Sequence, residues 1–458
     1  MNKKAVILGA GISGLATAYW LKKDGCDVTV IEKDDEVGGA MTSTWDNQFL
    51  VDYGPNSGLE TNPLIRQIVE ETGIEDEMIY ASSEGNKRYI LRDGRLRALP
   101  TGAGAFLTTK LFSTQAKLRL LKEPFVGKSS DGYYQSIAEF VKRRLGQEFL
   151  DYAINPFVAG VYAGNPDDLS VKSAFPKLYR LEEEYGGLIK GMFKGAKERK
   201  KRAEKSKQSA RMFSFKNGMQ VFPKAIAGKL KENLILGAEV CSIVKNGNSY
   251  EVKYKKDGTE ETVTADVVIS TLPAHVTCYL FQEMDGTLFS HLKSIYYPPV
   301  MVLYLGYKEE SIGQPLDGFG YLIPQKENRS YLGAIWSSTI FPNRAPEGFA
   351  SFTIFIGGAR SPQLFDDMNK EDLIRQVLKE FQEVMKITGM PHYRTDRMWP
   401  KAIPQYNIGY IEHERYFEEF ENTNKGILLS GNYRGGISVG DCIASSERVY
   451  KKALELLK

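Results

Sequence analysis

The sequence predicts a mixed α/β (α+β) protein: a Rossmann-like dinucleotide-binding domain combined with a mixed-sheet substrate domain and a helical subdomain. Three observations predict it. A glycine fingerprint joins a short apolar strand to a helix at the N-terminus; helical periodicity dominates from Thr101 to about Lys207; and alternating strands run from Val300 to Phe355, followed by a helix over Lys370 to Met385.

The fingerprint is the first element in the chain. Lys4 to Leu8 reads as a buried strand entering Gly9-Ala10-Gly11-Ile12-Ser13-Gly14, which opens a helix over Leu15 to Lys22. Gly9 suits the tight turn, Gly11 lets the backbone approach a pyrophosphate, and Gly14 lets helix and strand pack closely. The helix N-terminus adds unpaired N–H groups and a positive dipole end. Glu32 follows at the end of a second strand, Asp27 to Ile31, placed to bond ribose hydroxyls. Lys33 to Gly39 continue the unit with a second glycine pair, Gly38-Gly39, so Lys33, Gly38 and Gly39 join the candidate cofactor residues. This extension resembles that of FAD-dependent amine oxidase-type flavoproteins and favours FAD over NAD. Ala40 departs from the basic or large residue usual after the pair.

At 458 residues the chain is long enough for two or three domains, and its composition, 42% hydrophobic and 26% charged, is that of a folded protein. A net charge of +3 offers no global field for nucleic acid. The charge is locally uneven: Lys190 to Arg211 carries ten basic residues against Glu198 and Glu204. Cys26, Cys241, Cys278 and Cys442 lack metal-ligand spacing, which points to a reducing compartment without structural metal. The first strand begins within five residues of Met1, which leaves no signal peptide, and no apolar window is long enough to span a bilayer.

Next along the chain, a strand over Phe49 to Asp52 enters Tyr53-Gly54-Pro55-Asn56, where backbone and amide can meet cofactor or substrate. A helix over Asn62 to Glu71 and a strand over Arg88 to Arg92 ending at Asp93-Gly94 follow. Between Phe106 and Lys122 apolar positions alternate with Lys110, Lys117, Arg119 and Lys122, a pattern suited either to a helical subdomain packed on its own protein or to a membrane interface. Helices are expected over Ser136 to Leu145 and Val221 to Lys231, and a strand over Ala265 to Thr271. Near the C-terminus, Gly426 to Asn432 is a strand into a turn, and Gly435 to Ile443 opens a last helix whose first amides can face a flavin ring.

The less common motifs narrow the reading. Gly54-Pro55-Asn56-Ser57, Asn155 to Pro166 (N-P-F-V-A-G-V-Y-A-G-N-P), Leu169-Ser170 with Phe175-Pro176, and Phe213-Ser214-Phe215 with Gly218 come first. Phe319 to Pro324, Phe341 to Pro346, Ile403 to Tyr406 and the glycine-rich start of the last helix complete the set. Together these resemble the flavin-dependent protoporphyrinogen/coproporphyrinogen oxidases of haem synthesis over almost the whole chain. The resemblance implies FAD contacts from Gly9 to Gly14, Glu32, Gly38, Gly39, Tyr53 to Asn56, the backbone of Val240, and Ile437, Ser438 and Val439. For the substrate it implies Arg88 at a propionate, Leu322 and Ile335 about one pyrrole ring, Phe355 stacked on another, and Gly160 and Asn56 lining the pocket. No catalytic side chain is assigned, because the flavin carries the chemistry.

The implied activity is FAD-dependent, oxygen-using, six-electron oxidation of protoporphyrinogen IX to protoporphyrin IX. Coproporphyrinogen III is the alternative substrate, with Lys33, Arg88, Arg95, Arg97 and Arg360 available for its additional carboxylates. A flavin amine oxidase and a non-enzymatic flavin-bearing membrane scaffold are the distant alternatives. Expected partners are the porphyrinogen, molecular oxygen, an anionic membrane touched peripherally and a second copy in a homodimer, with no nucleic acid and no metal. The expected location is cytoplasmic, with peripheral association at the cytoplasmic face of the membrane. The expected domains are FAD-binding segments 1–60, 209–290 and 401–458, substrate segments 61–100 and 291–400, and a helical, membrane-associating subdomain 101–208.

Overall fold

A computed structural model describes residues 3–82, 85, 87–192, 194 and 210–458. The basic stretch of Lys190 to Arg211 lies, apart from its ends, outside the described residues.

Two sheets position the site. The first has five parallel strands in the spatial order Leu234–Ile235, Asp27–Ile31, Lys4–Leu8, Val267–Ser270 and Ile427–Leu429. Its strands read as near-continuous apolar runs because both faces are covered, the mark of a buried parallel sheet. Helices Ile12–Lys23 and Val439–Leu457 pack against each other on one face, where Ile7, Leu15, Ile269 and Ile443 share a core. Ser446 on the last helix donates to the Ser13 carbonyl at 3.0 Å, so the two ends of the chain are hydrogen-bonded.

The second sheet has seven strands in the order Tyr393–Trp399, Val300–Lys308, Phe349–Gly357, Gly333–Trp336, Gly318–Leu322, Lys87–Arg92 and Arg95–Ala98. Only the pairing of Gly318–Leu322 with Lys87–Arg92 is parallel. Asp93 and Gly94, both at positive φ, close the tight hairpin that ends the sheet. Side chains alternate between faces with period two. Leu303, Leu305, Tyr321, Ala334, Trp336, Phe352 and Ile354 therefore share one face, covered by helix Lys370–Met385, whose Leu373, Ile374, Val377 and Phe381 are fully buried. The residues between them form the opposite face.

Ser136 and Glu139 make the reciprocal capping box of helix Ile137–Arg144. Within the stretch of helical periodicity from Thr101 to about Lys207, a π turn, Leu150–Ile154, leads directly into helix Asn155–Tyr162. Fully buried Arg144, at the end of helix Ile137–Arg144, bonds both Glu123 and Glu182, tying that helix to the 3-10 turn Leu120–Phe125 and to helix Pro176–Tyr185. The segment before Arg144 differs from a long amphipathic helix. Ala103–Thr108 and Thr114–Arg119 are six residues each, and Leu107, Leu118, Leu121 and Phe125 stand exposed beside them. Strands Ala238–Asn246 and Ser249–Lys256 form a hairpin that carries a third strand, Thr259–Ala265, antiparallel to Ser249–Lys256. Its run of Thr and Glu has only Val263 and Ala265 as apolar residues, so it carries little strand signal in sequence.

Candidate cofactor and substrate site

The glycine turn is built by close backbone approach. A β-carbon on Gly14 would stand 2.0 Å from the Gly9 carbonyl oxygen and 2.7 Å from Thr271 Oγ1, so this position excludes every side chain. Gly9 itself sits at φ +98°. Thr271, at the end of strand Val267–Ser270, donates to the Leu8 carbonyl at 2.8 Å and so braces the turn from below. A polar residue ending a buried strand was its only trace in sequence.

The second glycine pair lies against the first turn. Gly11 bridges Gly38, the Gly38 amide donates to the Ala10 carbonyl at 2.9 Å, and a β-carbon on Gly39 would lie 3.5 Å from Gly11 Cα. Gly38 and Gly39 have φ of +128° and +57°, which L side chains rarely adopt. Gly54 packs on the same loop: a β-carbon there would stand 1.8 Å from the Ala40 carbonyl oxygen. Ala40 thus serves as the backbone platform for the Tyr53–Asn56 turn. Glu32 is buried, its carboxylate accepting from the Ala10 amide at 2.6 Å and the Asp34 amide at 3.1 Å. These bonds fix the carboxylate against the glycine turn. The Ala238 amide in turn donates to the Glu32 carbonyl, bringing the strand that carries Val240 alongside. Lys33 is exposed.

At the far end, Ser438 caps the last helix by accepting from the Asp441 amide, Val439 is buried, and Ile437 is partly buried. The preceding turn is propped by two stacked phenols, Tyr406 and Tyr410, with centroids 4.4 Å apart. Tyr406 donates to the Asn432 carbonyl and accepts from the Gly436 amide; Tyr410 donates to the Tyr433 carbonyl. Burial holds both phenols well above their usual range, so they remain neutral donors.

The residues that the resemblance assigns to the substrate meet on one face of the seven-stranded sheet. Across it run two neighbouring rows of paired residues. One is Ile90, Leu322, Gly333, Phe355 and Val302; the other is Arg88, Gly320, Ile335, Thr353 and Tyr304. Leu322, Ile335 and Phe355 thus share a face, and the glycines between them leave it flat. Gly160 faces it from helix Asn155–Tyr162, where a β-carbon would stand 2.6 Å from Leu322 Cδ2. Arg88 is exposed at the edge of this face, its guanidinium 5.4 Å from the Phe319 ring centre. Asn56 joins cradle and face, its amide donating to Thr353 Oγ1 at 3.3 Å.

Sequence reading missed the support beneath Asn56. Asp52 and Arg344, both buried, pair at 3.2 Å, and Asp52 also accepts from Ser43 and the Met219 amide. Burial nevertheless raises the Asp52 carboxyl above the ordinary carboxylate range. Tyr304 donates to the carbonyls of Leu50 and Arg344, binding the Phe341–Pro346 motif to strand Phe49–Asp52. Nearly three hundred residues separate the ionic partners, so only the fold joins them.

The cradle suits a dinucleotide: three loops meet through backbone alone at a helix N-terminus, as a pyrophosphate requires. The flavin-containing amine oxidoreductase family matches residues 12–449. The chain is 35% identical over 470 residues to protoporphyrinogen oxidase 2 of Arabidopsis thaliana, covering 97% of this chain and 92% of that protein. It is 27% identical to coproporphyrinogen III oxidase of Bacillus subtilis, over 100% of this chain and 99% of that one. Among solved structures, a putative protoporphyrinogen oxidase from Exiguobacterium superposes with a TM-score of 0.82 at 21% identity, covering 99% of both chains. With this fold, this cradle and these relatives, the chain belongs to the flavin-containing amine oxidoreductases, an FAD-dependent oxidoreductase whose homologues include the protoporphyrinogen and coproporphyrinogen oxidases.

Proposed function

We propose that the protein oxidises protoporphyrinogen IX to protoporphyrin IX, with oxygen as final electron acceptor. The observation that carries this reading is the flat apolar face of Leu322, Ile335 and Phe355, with Arg88 at its edge, joined to the dinucleotide cradle through Asn56. A tetrapyrrole presents apolar faces and peripheral carboxylates, which call for this combination of walls and guanidinium.

When bound, FAD supplies a two-electron acceptor, and three rounds account for the six electrons lost by the substrate. The chain's part is placement. Gly9 to Gly14, Glu32, Gly38, Gly39, Tyr53 to Asn56, Val240 and Ile437 to Val439 would hold the cofactor. Leu322, Ile335 and Phe355 would hold the macrocycle, with Gly160 letting its helix come close against Leu322. Arg88 would fix its in-plane rotation through a propionate. Strands Gly318–Leu322, Gly333–Trp336 and Phe349–Gly357 contain no His, Asp or Glu, and the part assigned to them is to orient the substrate.

Coproporphyrinogen III is the second reading, favoured by the Bacillus subtilis relative and by Arg360, whose guanidinium bonds Asn155 and the Ile323 carbonyl and forms no ion pair among the described residues. Anaerobic flavin bleaching with both porphyrinogens in parallel tests the choice. Faster bleaching by protoporphyrinogen IX supports the first reading and faster bleaching by coproporphyrinogen III the second; bleaching by neither overturns both.

Among the described residues no helix is long and apolar enough to cross a membrane. Leu107, Leu118, Leu121 and Phe125 are 59–88% exposed near Lys117, Arg119 and Lys122. Apolar side chains with interleaved cations suit the interface of an anionic bilayer, and we take this surface as a site of peripheral membrane contact.

A further inference from the structure

Strand Phe349–Gly357, which carries Phe355, ends in Gly357-Gly358, both at positive φ. The turn presses the chain onto the end of the Gly160 helix: a β-carbon on Gly358 would stand 2.5 Å from the Ala163 carbonyl oxygen, to which the Ala359 amide donates at 2.7 Å. Arg360 comes next. Its Nη1 donates to Asn155 Oδ1 at 2.6 Å, and both Nη atoms lie 3.2 Å from the Ile323 carbonyl oxygen. Asn155 begins the Gly160 helix and Ile323 follows Leu322. The guanidinium therefore sits where the two elements that meet at Gly160 and Leu322 come together.

Among the described residues no carboxylate forms an ion pair with it. Three other buried or half-buried guanidiniums face carboxylates: Arg144 has Glu123 and Glu182, Arg344 has Asp52, and Arg434 has Glu421. Arg360 has an amide oxygen and a peptide oxygen. Burial alone pushes its guanidinium down to about 10, so it remains cationic at neutral pH. A neutral donor could make the same hydrogen bonds without the penalty of an unpaired buried charge. These contacts employ the Nη end of the fork. Nε–H and one Nη2 hydrogen remain on its side edge, the arrangement that receives a carboxylate through two parallel bonds.

We propose that Arg360 binds a substrate carboxylate at the Gly160–Leu322 end of the cleft, a second anchoring point beside Arg88; the assignment rests on the porphyrinogen reading of the site. It gives the cleft cations on two sides of the apolar face and makes carboxylate placement around the macrocycle a determinant of specificity.

The test uses full-length FAD-loaded protein and compares anaerobic flavin bleaching by protoporphyrinogen IX with bleaching by its dimethyl ester, in the wild type, Arg360→Gln and Arg360→Lys. The acid-to-ester ratio of kcat/KM should fall by about tenfold in Arg360→Gln, as expected for loss of one charge-assisted carboxylate contact, and by less in Arg360→Lys. A residue that merely ties helix to strand would slow both substrates alike. An unchanged ratio in both variants, with the wild type active, overturns the assignment and leaves the porphyrinogen reading standing. Failure of the wild type to bleach with either compound overturns both. Should Arg360→Gln lose its flavin, the ratio in Arg360→Lys decides, because that variant keeps the charge and loses the fork.

Discussion

Adding one methyl group at Gly160 tests the proposed substrate face without touching the proposed cofactor cradle. In Gly160→Ala the new β-carbon would stand 2.6 Å from Leu322 Cδ2 and 3.1 Å from Cδ1, whereas ordinary contact begins at 3.4 Å. Leu322 must therefore retreat by most of an ångström. Room is short, because it already leans over Gly333 on the next strand and packs toward Ile90 and Phe149. Overpacking of this kind costs about 1–3 kcal/mol. Borne by the substrate complex, that is a loss of about 5- to 150-fold in kcat/KM. The assay is porphyrinogen oxidation at matched flavin content, with flavin occupancy read by absorbance and expected to stay at the wild-type level. Leu322→Val in the same chain removes the clashing branch, and the double-mutant cycle should show a coupling of about 0.5 kcal/mol or more. Wild-type turnover in Gly160→Ala, or a double variant no better than the single one, would refute the placement of Gly160 against the substrate-bearing side of Leu322.

Gly14→Ala forces a β-carbon onto the Gly9 carbonyl and should yield protein that purifies without flavin, checked by the flavin-to-protein absorbance ratio. His413 pairs with His291 at 2.9 Å, and burial holds His413 down to about 4, below its ordinary value of 6.5. The unfolded chain binds the proton first, so stability should fall as pH drops from 6.5 toward 4. His413→Gln should flatten that slope in thermal melts, leaving the contributions of His275 and His291, both also lowered by burial. Leu121→Asp with Phe125→Asp should reduce flotation with anionic liposomes while flavin reduction in detergent is unchanged; equal flotation would move the membrane contact elsewhere.

The glycine cradle was legible in adjacent residues, because its chemistry is local. A strand, a glycine turn and a helix N-terminus are specified by adjacent residues, and steric exclusion at Gly14 and the positive φ of Gly38 leave few other residues admissible. Periodicity likewise marked helix Lys370–Met385 with the same bounds the structure gives it, since one amphipathic face is buried against one sheet face. Three groups of residues depended on the tertiary structure. The face shared by Arg88, Leu322, Ile335 and Phe355 follows from strand register, and strand pairing across more than two hundred residues is set by the whole sheet. Individually these residues look like core or surface; their motifs named them only through resemblance. The Asp52–Arg344 pair and the setting of Arg360, which forms no ion pair among the described residues, have no local signature at all, because burial and pairing are properties of the assembled fold. The exposed apolar side chains near Phe125 show the same limit from the other side. An alternation of leucine and lysine reads as an amphipathic helix, whereas the folded chain divides the segment into short helices with apolar side chains facing outward.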